Sequence, residues 1–371
     1  MDYFYQKPLA PLLKWPGGKT DDIKHIKKNL SYLLPKTIRN YYEPFLGGGA
    51  VWLSLSAEQM FVNDLCEEVM FFYETIRDQD CDFFELIRGM FYNWNMLTGI
   101  ARDKYIKFYN SSDEDKCNVL ETYRISLERT FFASEFKSKY FDVLLSSLLS
   151  KVKNIKKVET RRGILSEEDL AQNIEGALKA GFYTTVREIY NGRKQIDCLK
   201  IACFYFLREY CFSSMFRYNS KGGFNVPYGG MSYNDRSPAA RMKYWNDDRL
   251  IKHLSATNFF KEDFEVFLRR TKPTNDDFIF VDPPYDSEFS TYAKNVFGQQ
   301  EQKRLANYLV NECEAKFLAV MRNTDFIRGL YDGNKNGIQC LIFDKTYAVS
   351  FKNRNEKDVE HLIVARTGEK S

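Results

Sequence analysis

The apolar positions of the chain follow two spacings, and these spacings divide the sequence into three stretches. Near both ends, compact apolar runs such as 278–281 are typical of buried strands, and helical patterns separate them. Between about residues 77 and 253 the helical spacing dominates. We therefore predict an α/β core formed by residues 1–76 and 254–371, with a mainly helical domain of residues 77–253 inserted into it.

The individual elements follow from these spacings and from the residues that flank them. Strands are predicted at 41–43, 60–64, 257–260, 278–281, 316–321, 340–343 and 359–365. Helices are predicted after Thr20, at 121–136, at 140–149, at 299–310 and directly after the glycines at 47–49. Ser166 is expected to begin a further helix and Gly181 to end it.

Composition narrows the class of protein without deciding its function. The 371 residues exceed what one hydrophobic core usually holds, and a net charge of +4 is too small to indicate an anionic partner by itself. The eight cysteines include no C-x-x-C pair and the three histidines are far apart, so we predict reduced thiols and no metal site. No signal peptide or membrane-spanning run is evident, which predicts a cytoplasmic protein that binds no membrane.

The stretch with the strongest chemical content is Asp282-Pro283-Pro284-Tyr285, which follows the apolar run at 278–281. Neither proline can donate to a sheet ladder, so the strand must end there in a stiff elbow. Open α/β sheets place their ligands at such carboxyl ends of strands. A carboxylate and a backbone carbonyl can each accept one N–H of an exocyclic amine, and a tyrosine face can stack on the attached base. An ordinary strand end followed by a turn remains the alternative for these four residues alone.

A second candidate site lies near the amino terminus, where a predicted strand runs into Gly47-Gly48-Gly49. Such a strand–glycine turn lets a nucleotide-like ligand lie against the backbone, although the full G-x-G-x-x-G pattern of dinucleotide sites is absent. The next predicted strand ends at Asp64, where a carboxylate is placed to bind ribose hydroxyls. A solvated strand end is the alternative for Asp64.

The predicted helical insert contains one segment of a different kind, from Phe212 to Gly230, which reads as a hairpin or loop with glycine turns. Arg217 is suited to bidentate recognition of a guanine edge, and Phe212 or Met215 to insertion between bases. A packed loop with one structural arginine is the alternative.

In this order, the motifs resemble those of the Dam-type DNA adenine-N6 methyltransferases, which have the alpha arrangement of amino-methyltransferases. The segments that carry the resemblance are 14–19 (KWPGGK), 43–49 (EPFLGGG), Asp64, 216–219 (FRYN), 224–229 (FNVPYG) and 282–285 (DPPY). The resemblance implies a Rossmann-like methyltransferase core with a mixed seven-stranded sheet, and S-adenosylmethionine as the methyl donor. It also implies double-stranded DNA as the substrate, with the target adenine flipped out of the helix.

The resemblance assigns roles residue by residue. Asp282, Pro283, Pro284 and Tyr285 would be catalytic. The cofactor would be bound by Trp15, Lys19, Glu43, Phe45, Gly47, Gly49, Asp64, Asp263, Phe264 and Asp282. DNA would be contacted by Lys14, Phe212, Met215, Arg217, Asn219 and Asn225, and no metal is implied.

Two departures from the family pattern affect the expected recognition sequence. The segment at about 100–200 is longer than in compact Dam enzymes, and Ser213-Ser214 stands where Asn-Gly is expected. GATC is therefore not assigned. RNA-base methylation, protein-glutamine methylation and a catalytically inactive DNA-binding relative are the alternative functions. A cognate restriction endonuclease is a candidate partner, and a monomer or weak dimer is expected.

Overall fold

The computed structural model describes residues 3–15, 19–130, 136–233, 239–284, 297–331, 337–346 and 358–367. The chain divides into two compact units, one formed by residues 1–74 and 245–371 and the other by residues 75–244. Tyr285 of the predicted elbow lies outside the described residues.

The first unit is built on a seven-stranded mixed sheet with the strand order β3-β2-β1-β4-β5-β7-β6. Its strands are β1 (Asn40–Glu43), β2 (Gln59–Asn63), β3 (Thr257–Phe260), β4 (Phe278–Val281), β5 (Lys316–Arg322), β6 (Ile338–Thr346) and β7 (Asp358–Arg366). Strands β1 to β5 run parallel to one another, and β7 is antiparallel to both β5 and β6. The seven-stranded mixed sheet predicted from the resemblance is thus confirmed.

The central strands are short and completely buried, because helices cover parallel sheets on both faces. Every residue of β1 and β4 is buried. The helices of this unit are α1 (Thr20–Asn29), α2 (Glu67–Arg77, whose last residues pass into the second unit), α10 (Asp248–Ser255), α11 (Phe264–Thr271), α12 (Gln299–Asn307) and α13 (Asp325–Tyr331). Phe267, Leu305 and Ile327 from three of these helices share one apolar cluster with Ile279 and Phe317 of the sheet.

The second unit is mainly helical. It contains α3 (Cys81–Asn110), α4 (Asp113–Glu121), α5 (Arg124–Thr130), α6 (Lys137–Arg162), α7 (Glu167–Gly192), α8 (Cys198–Tyr210) and α9 (Ala239–Tyr244). Aromatic side chains pack between the long helices: the Trp94 ring lies 5.3 Å from Phe206 and 4.5 Å from Tyr210, and Phe182 lies 5.3 Å from Phe206. None of the described helices has the length and apolarity needed to cross a membrane.

Three helix predictions differ most from the structure, each for a local reason. The helix predicted to end at Gly181 continues to Gly192 as α7. A Cβ atom at Gly181 would come within 3.0 Å of the Leu144 Cα, so this glycine lets the backbones of α6 and α7 approach closely. The sequence pattern shows a glycine but does not distinguish a helix end from a helix crossing.

The other two differences concern tight turns. After the glycines, the chain forms a single 3₁₀ turn at Trp52–Ser54, and Leu55 then pairs with Phe4 in an isolated β-bridge. The helix predicted at 121–136 begins at Arg124 as α5, after α4 has ended at Glu121. There the Tyr123 N–H bonds to the carbonyl of Leu120, and this shorter connection separates the two helices.

Candidate active site

Most of the predicted site residues of the first unit lie at or just after the carboxyl ends of adjacent parallel strands. β1 lies between β2 and β4, and the registers pair Glu43 with Val62 and Asn63 with Phe260. Residues that directly follow these strands therefore meet at one edge of the sheet. The strand order reverses between β1 and β4: the chain continues from β1 to β2 and β3 on one side, and β4 and β5 lie on the other. Open α/β sheets bind ligands at such a topological switch point.

The elbow after β4 carries an ion pair. The Lys19 Nζ lies 2.9 Å from the Asp282 Oδ1, and it also lies 3.8 Å from the Asp22 Oδ2. The Lys19 side chain is 5% exposed, whereas that of Asp282 is 23% exposed. A buried cation thus holds one oxygen of the predicted catalytic carboxylate, while the carboxylate itself stays accessible from outside.

Glu43, the last residue of β1, is a buried carboxyl group among other carboxyl groups. The Tyr41 Oη donates a 2.6 Å hydrogen bond to its Oε2. Burial raises the pKa of Glu43 well above its ordinary value, and the negative charges of Asp282 and Asp64 raise it further, against the Tyr41 hydrogen bond. A positive charge brought close to Glu43 would lower this pKa.

The turn after β1 packs tightly against Trp15. Gly47 has a φ of 48°, in the left-handed region that side chains rarely adopt. A Cβ atom built on Gly47 would lie 2.6 Å from the Trp15 Nε1, and one on Gly48 would lie 2.7 Å from the Trp15 Cβ. The indole thus needs a bare backbone at this turn, and the Tyr73 hydroxyl holds the turn from another side by donating to the Gly47 carbonyl at 3.2 Å.

Asp64 binds the same turn from the end of β2. Its carboxylate accepts hydrogen bonds from the backbone N–H groups of Gly47 and Cys66, both at 2.8 Å. Burial raises the pKa of Asp64, and these two N–H donors oppose the rise. Each carboxylate oxygen has a further lone pair, so Asp64 can order the turn and still accept hydrogen bonds from a ligand.

Asp263 and Phe264 stand at the start of α11, beside the end of β3. Asp263 caps the helix by accepting from the Glu265 N–H at 3.0 Å, and Arg304 of α12 binds its two oxygens at 2.7 and 3.3 Å. Phe264 is buried, with its ring 5.4 Å from Phe45 and 5.7 Å from Phe297. This corner therefore combines a fixed carboxylate with an aromatic wall.

The segment predicted as a hairpin or loop forms a hairpin in the second unit. Isolated antiparallel bridges join Cys211 to Tyr228 and Tyr218 to Phe224. Phe216 and Phe224 are buried and stack at 4.3 Å, whereas Arg217 on the alternate face is exposed. The hairpin thus rests on the helices by its aromatic face and presents its polar face outward.

The predicted DNA-contacting residues of the hairpin have different environments. The Arg217 Nε donates a 3.4 Å hydrogen bond to the Asn225 Oδ1 on the outward face. The Asn219 Oδ1 instead accepts from the backbone N–H groups of Lys221 and Gly223, both at 3.0 Å, so its oxygen stabilises the hairpin turn. Phe212 is 41% exposed, and Met215 is partly buried.

Residues 15–348 match the D12 class N6 adenine-specific DNA methyltransferases. The chain belongs to this family. The type II methyltransferase M.MjaIII of Methanocaldococcus jannaschii is 26% identical over 341 residues, which cover 88% of this chain and 89% of the relative. The DNA adenine methylase of Vibrio cholerae is 21% identical over 369 residues, 97% of both chains. The type II methyltransferase M.CviBI of Paramecium bursaria Chlorella virus NC1A is 39% identical over 130 residues, 35% of this chain and about half (47%) of that protein.

The expected family, fold and enzyme class are therefore confirmed: the D12 chain is an N6-adenine DNA methyltransferase. In its first unit Trp15, Lys19, Glu43, Asp64 and Asp282 stand around one edge of the sheet. The assignment of individual residues to cofactor or DNA stays a prediction, as does the position of Lys14, which is partly buried. No group of side chains suited to a metal ion occurs in the described parts of the chain.

Three residues that contact the candidate site were not predicted from the sequence. The buried Asn63 amide donates to the carbonyls of Pro44 and Glu262 at 3.1 and 2.9 Å and accepts from the Glu262 N–H at 2.9 Å. It thereby ties the loop after β1 to the loop after β3. Gln302 and Arg304 of α12 bind the elbow and the α11 corner, respectively. A polar residue at the end of an apolar run was the only sign of Asn63, and nothing in the sequence pattern marked the other two.

Proposed function

We propose that this enzyme binds S-adenosylmethionine at the carboxyl ends of β1, β2 and β3 and methylates an adenine held at the Asp282 elbow. The observation that carries the proposal is the meeting of the glycine turn, Asp64, Asp263 and the elbow at one edge of the sheet. These groups are far apart in the sequence, and the parallel registers of β1 with β2 and β4 bring them to neighbouring strand ends.

The residues present suit this donor chemically. S-adenosylmethionine carries an ammonium and a sulfonium charge, which the carboxylates of Asp64 and Asp282 can match, and a bound positive charge would also lower the raised pKa of Glu43. Asp64 offers further lone pairs to ribose hydroxyls, and Asp263 with Phe264 offers an acceptor and an aromatic surface to an adenine. When bound, the donor supplies an electrophilic methyl group.

The elbow would prepare the acceptor nitrogen. Its lone pair is delocalised into the adenine ring, so the free amino group is a poor nucleophile. Asp282 and the Pro283 carbonyl accept its two N–H bonds, which favours a tetrahedral nitrogen with a localised lone pair. The Asp282 charge would also stabilise the positive charge that develops on N6 as the new N–C bond forms and the methyl–sulfur bond of the donor breaks. S-adenosylhomocysteine would leave, and N6 would then lose one proton. Tyr285 is assigned to stacking on the flipped base, and much of the acceleration comes from holding both reactants in line.

We further propose that the helical unit selects the DNA sequence through the hairpin that contains Arg217. The support is its outward polar face on a buried aromatic base. A type II modification role with a cognate endonuclease remains a separate hypothesis, motivated by the type II methyltransferase names of two relatives.

The proposal is tested by transfer of a radiolabelled methyl group to duplex DNA, RNA and protein, with Asp282→Asn beside the wild type. Label should enter N6 of adenine in duplex DNA. The variant keeps the side-chain shape but loses the charge, so its single-turnover rate should fall by roughly 10²–10⁴-fold. Labelling of RNA or of protein glutamine instead of DNA would refute the proposed substrate, and a near-normal Asp282→Asn rate would refute the proposed elbow chemistry.

A further inference from the structure

Gln302 of α12 is a buried amide that contacts the elbow. The residue is 2% exposed, and its Nε2 donates a 3.2 Å hydrogen bond to the carbonyl oxygen of Pro284. The carbonyl can only accept, so the amide nitrogen and not its oxygen must face Pro284. The neighbouring helix residues Leu305 and Ala306 are buried in the apolar cluster under the sheet, so the amide is presented from a packed helix.

The sequence of the elbow limits how its backbone can be held. Strand β4 ends at Val281, and the next two residues after Asp282 are prolines, which lack an N–H group. Backbone anchoring beyond Asp282 therefore depends on carbonyl groups. In the proposed mechanism the Pro283 carbonyl is reserved for the target amino group, which leaves the Pro284 carbonyl as the backbone group that the protein can bind without blocking the reaction.

We propose that Gln302 is a positioning residue for methyl transfer: its amide fixes the Pro284 carbonyl and so aims the Pro283 carbonyl and Asp282 at the adenine amino group. This inference rests on the proposed elbow chemistry. Gln302 itself touches neither reactant, and it acts through the peptide that follows the catalytic carbonyl. A shift of about 1 Å in a catalytic group can cost about 10²-fold in rate, so one hydrogen bond at this point is enough to matter.

The environment of the Gln302 oxygen argues against a role in stability alone. The Oε1 is buried and has no hydrogen-bond partner among the described residues. A buried polar atom without a partner destabilises a fold, and an apolar side chain of similar length would fill the same space without that cost. The amide is thus better explained by its contact with Pro284 than by packing.

Two substitutions and a matched control separate these roles. Gln302→Glu keeps the shape but sets a carboxylate oxygen against the Pro284 carbonyl, and Gln302→Met fills the space without a donor. Gln300→Glu makes the same chemical change at an exposed position of the same helix. The measurements are the single-turnover rate with saturating donor and duplex, the donor affinity by calorimetry, and the fluorescence of 2-aminopurine placed at the target base, with Asp282→Asn as reference.

We expect both Gln302 variants to transfer methyl groups about 10²-fold more slowly than wild type, with unchanged donor affinity and with the thermal midpoint of Gln302→Met retained. Gln300→Glu should match the wild type. Normal rates in both Gln302 variants, with a slow Asp282→Asn, would overturn this inference and leave the proposed function intact. A fast Asp282→Asn would overturn the elbow chemistry and this inference together. A rate loss that tracks weaker donor binding or a lower midpoint would show that Gln302 is structural.

Discussion

The ammonium group of Lys19 lies 2.9 Å from the Asp282 Oδ1, the kind of oxygen that the proposed mechanism requires to accept an adenine N–H. The lysine comes from the residue before α1, and the aspartate follows β4. Their pairing joins the KWPGGK and DPPY segments, 263 positions apart in the sequence, into one charged centre. The Lys19 side chain is buried and the Asp282 side chain is 23% exposed. Substitution of each residue, alone and together, can therefore measure the interaction energy of the pair.

The first prediction concerns this pair. Lys19→Met removes the cation from a group of carboxylates, and we expect the free energy of unfolding to fall by about 1–3 kcal/mol at neutral pH. Asp282→Asn should cost less in the Lys19→Met background than alone, with a coupling energy of about 0.5–3 kcal/mol. Denaturant titrations of the wild type, both single variants and the double variant measure it. Strictly additive effects would show that the 2.9 Å contact carries no interaction energy.

The second prediction is a pH dependence that arises from Glu43. Because burial raises its folded-state pKa above the ordinary 4.5, the folded chain binds more protons than the unfolded chain between these two pKa values. The contribution of Glu43 to stability is therefore complete below pH 4.5 and is lost as pH rises through the folded-state pKa. Relative to Glu43→Gln, which is neutral throughout, the wild type should lose about 1.4 kcal/mol for each unit of pKa elevation.

The measurement is the free energy of unfolding of wild type and Glu43→Gln at a series of pH values from 4 upward. Glu58→Gln is the control, since Glu58 is exposed and the substitution makes the same change in charge. A constant difference between wild type and Glu43→Gln across the series would contradict the prediction.

The third prediction separates two roles of Asp64. If its carboxylate binds ribose hydroxyls as well as the Gly47 N–H, Asp64→Ala should weaken binding of S-adenosylhomocysteine by about 1–3 kcal/mol. It should also abolish the preference for this ligand over its 2′-deoxy analogue. Calorimetry with both ligands tests this. An equal loss for both ligands, with the preference retained, would limit Asp64 to ordering the glycine turn.

The strand ends of this site were predictable, whereas the contacts between them were not. Local sequence signals predict these strand ends. They are the short apolar runs that end in Asp64 or Asp282, and the proline or glycine that directly follows a strand. Strand β3 at Thr257–Phe260 and β4 at Phe278–Val281 were predicted with the bounds that they have. Local periodicity does not give the order of strands in the sheet, and here the family resemblance supplied the sheet type.

The supporting residues depend on tertiary contacts that no local pattern encodes. Asn63 bonds to Glu262, 199 positions away, and Arg304 bonds to Asp263, 41 positions away. Gln302 stands beside other glutamines in the helix, and only the fold distinguishes the buried one from exposed Gln299 and Gln300. The prediction that a helix ends at Gly181 was wrong for the same reason, because the close approach of Gly181 to Leu144 arises only when α6 and α7 pack.

The fourth prediction concerns the turn Phe212-Ser213-Ser214-Met215. Ser213 and Ser214 have φ values of 53° and 52°, and the Met215 N–H bonds to the Phe212 carbonyl at 3.2 Å. A turn with positive φ at both central residues favours Asn-Gly, the pair expected here from the family pattern. The chain thus has the backbone conformation of an Asn-Gly turn, although serines occupy both positions. A non-glycine residue in the left-handed region destabilises the fold by about 1–2 kcal/mol, and glycine avoids this cost. Glycine also increases the entropy of the unfolded chain, which offsets about 0.4–1 kcal/mol of that gain.

Ser214→Gly should therefore stabilise the helical unit by a net amount of about 0.5–1 kcal/mol. Ser214→Val should destabilise it, since a β-branched side chain tolerates positive φ least. Denaturant midpoints measure both changes, and Ser220→Gly, an exposed change in the same hairpin, is the control. A destabilised Ser214→Gly would mean that the serine side chain contributes more than the backbone strain costs.

The last prediction concerns sequence choice by Arg217. Its guanidinium stands on the outward face of the hairpin and is oriented by one 3.4 Å hydrogen bond to Asn225, so most of its donors are directed elsewhere. If two of them bind a guanine edge, Arg217→Ala should cost about 1–3 kcal/mol on the preferred site and relax the preference at one base pair. Affinities for the preferred duplex and for duplexes changed at single positions, at one fixed salt concentration, measure both effects. Lys221→Ala, at the exposed turn of the same hairpin, is the matched control for loss of positive charge. A phosphate contact would give a different result: Arg217→Ala would weaken binding equally on every duplex and lower the salt dependence by about one ion, as is expected of Lys221→Ala if Lys221 binds a phosphate. In that case Arg217 contacts the DNA backbone, and other residues select the sequence.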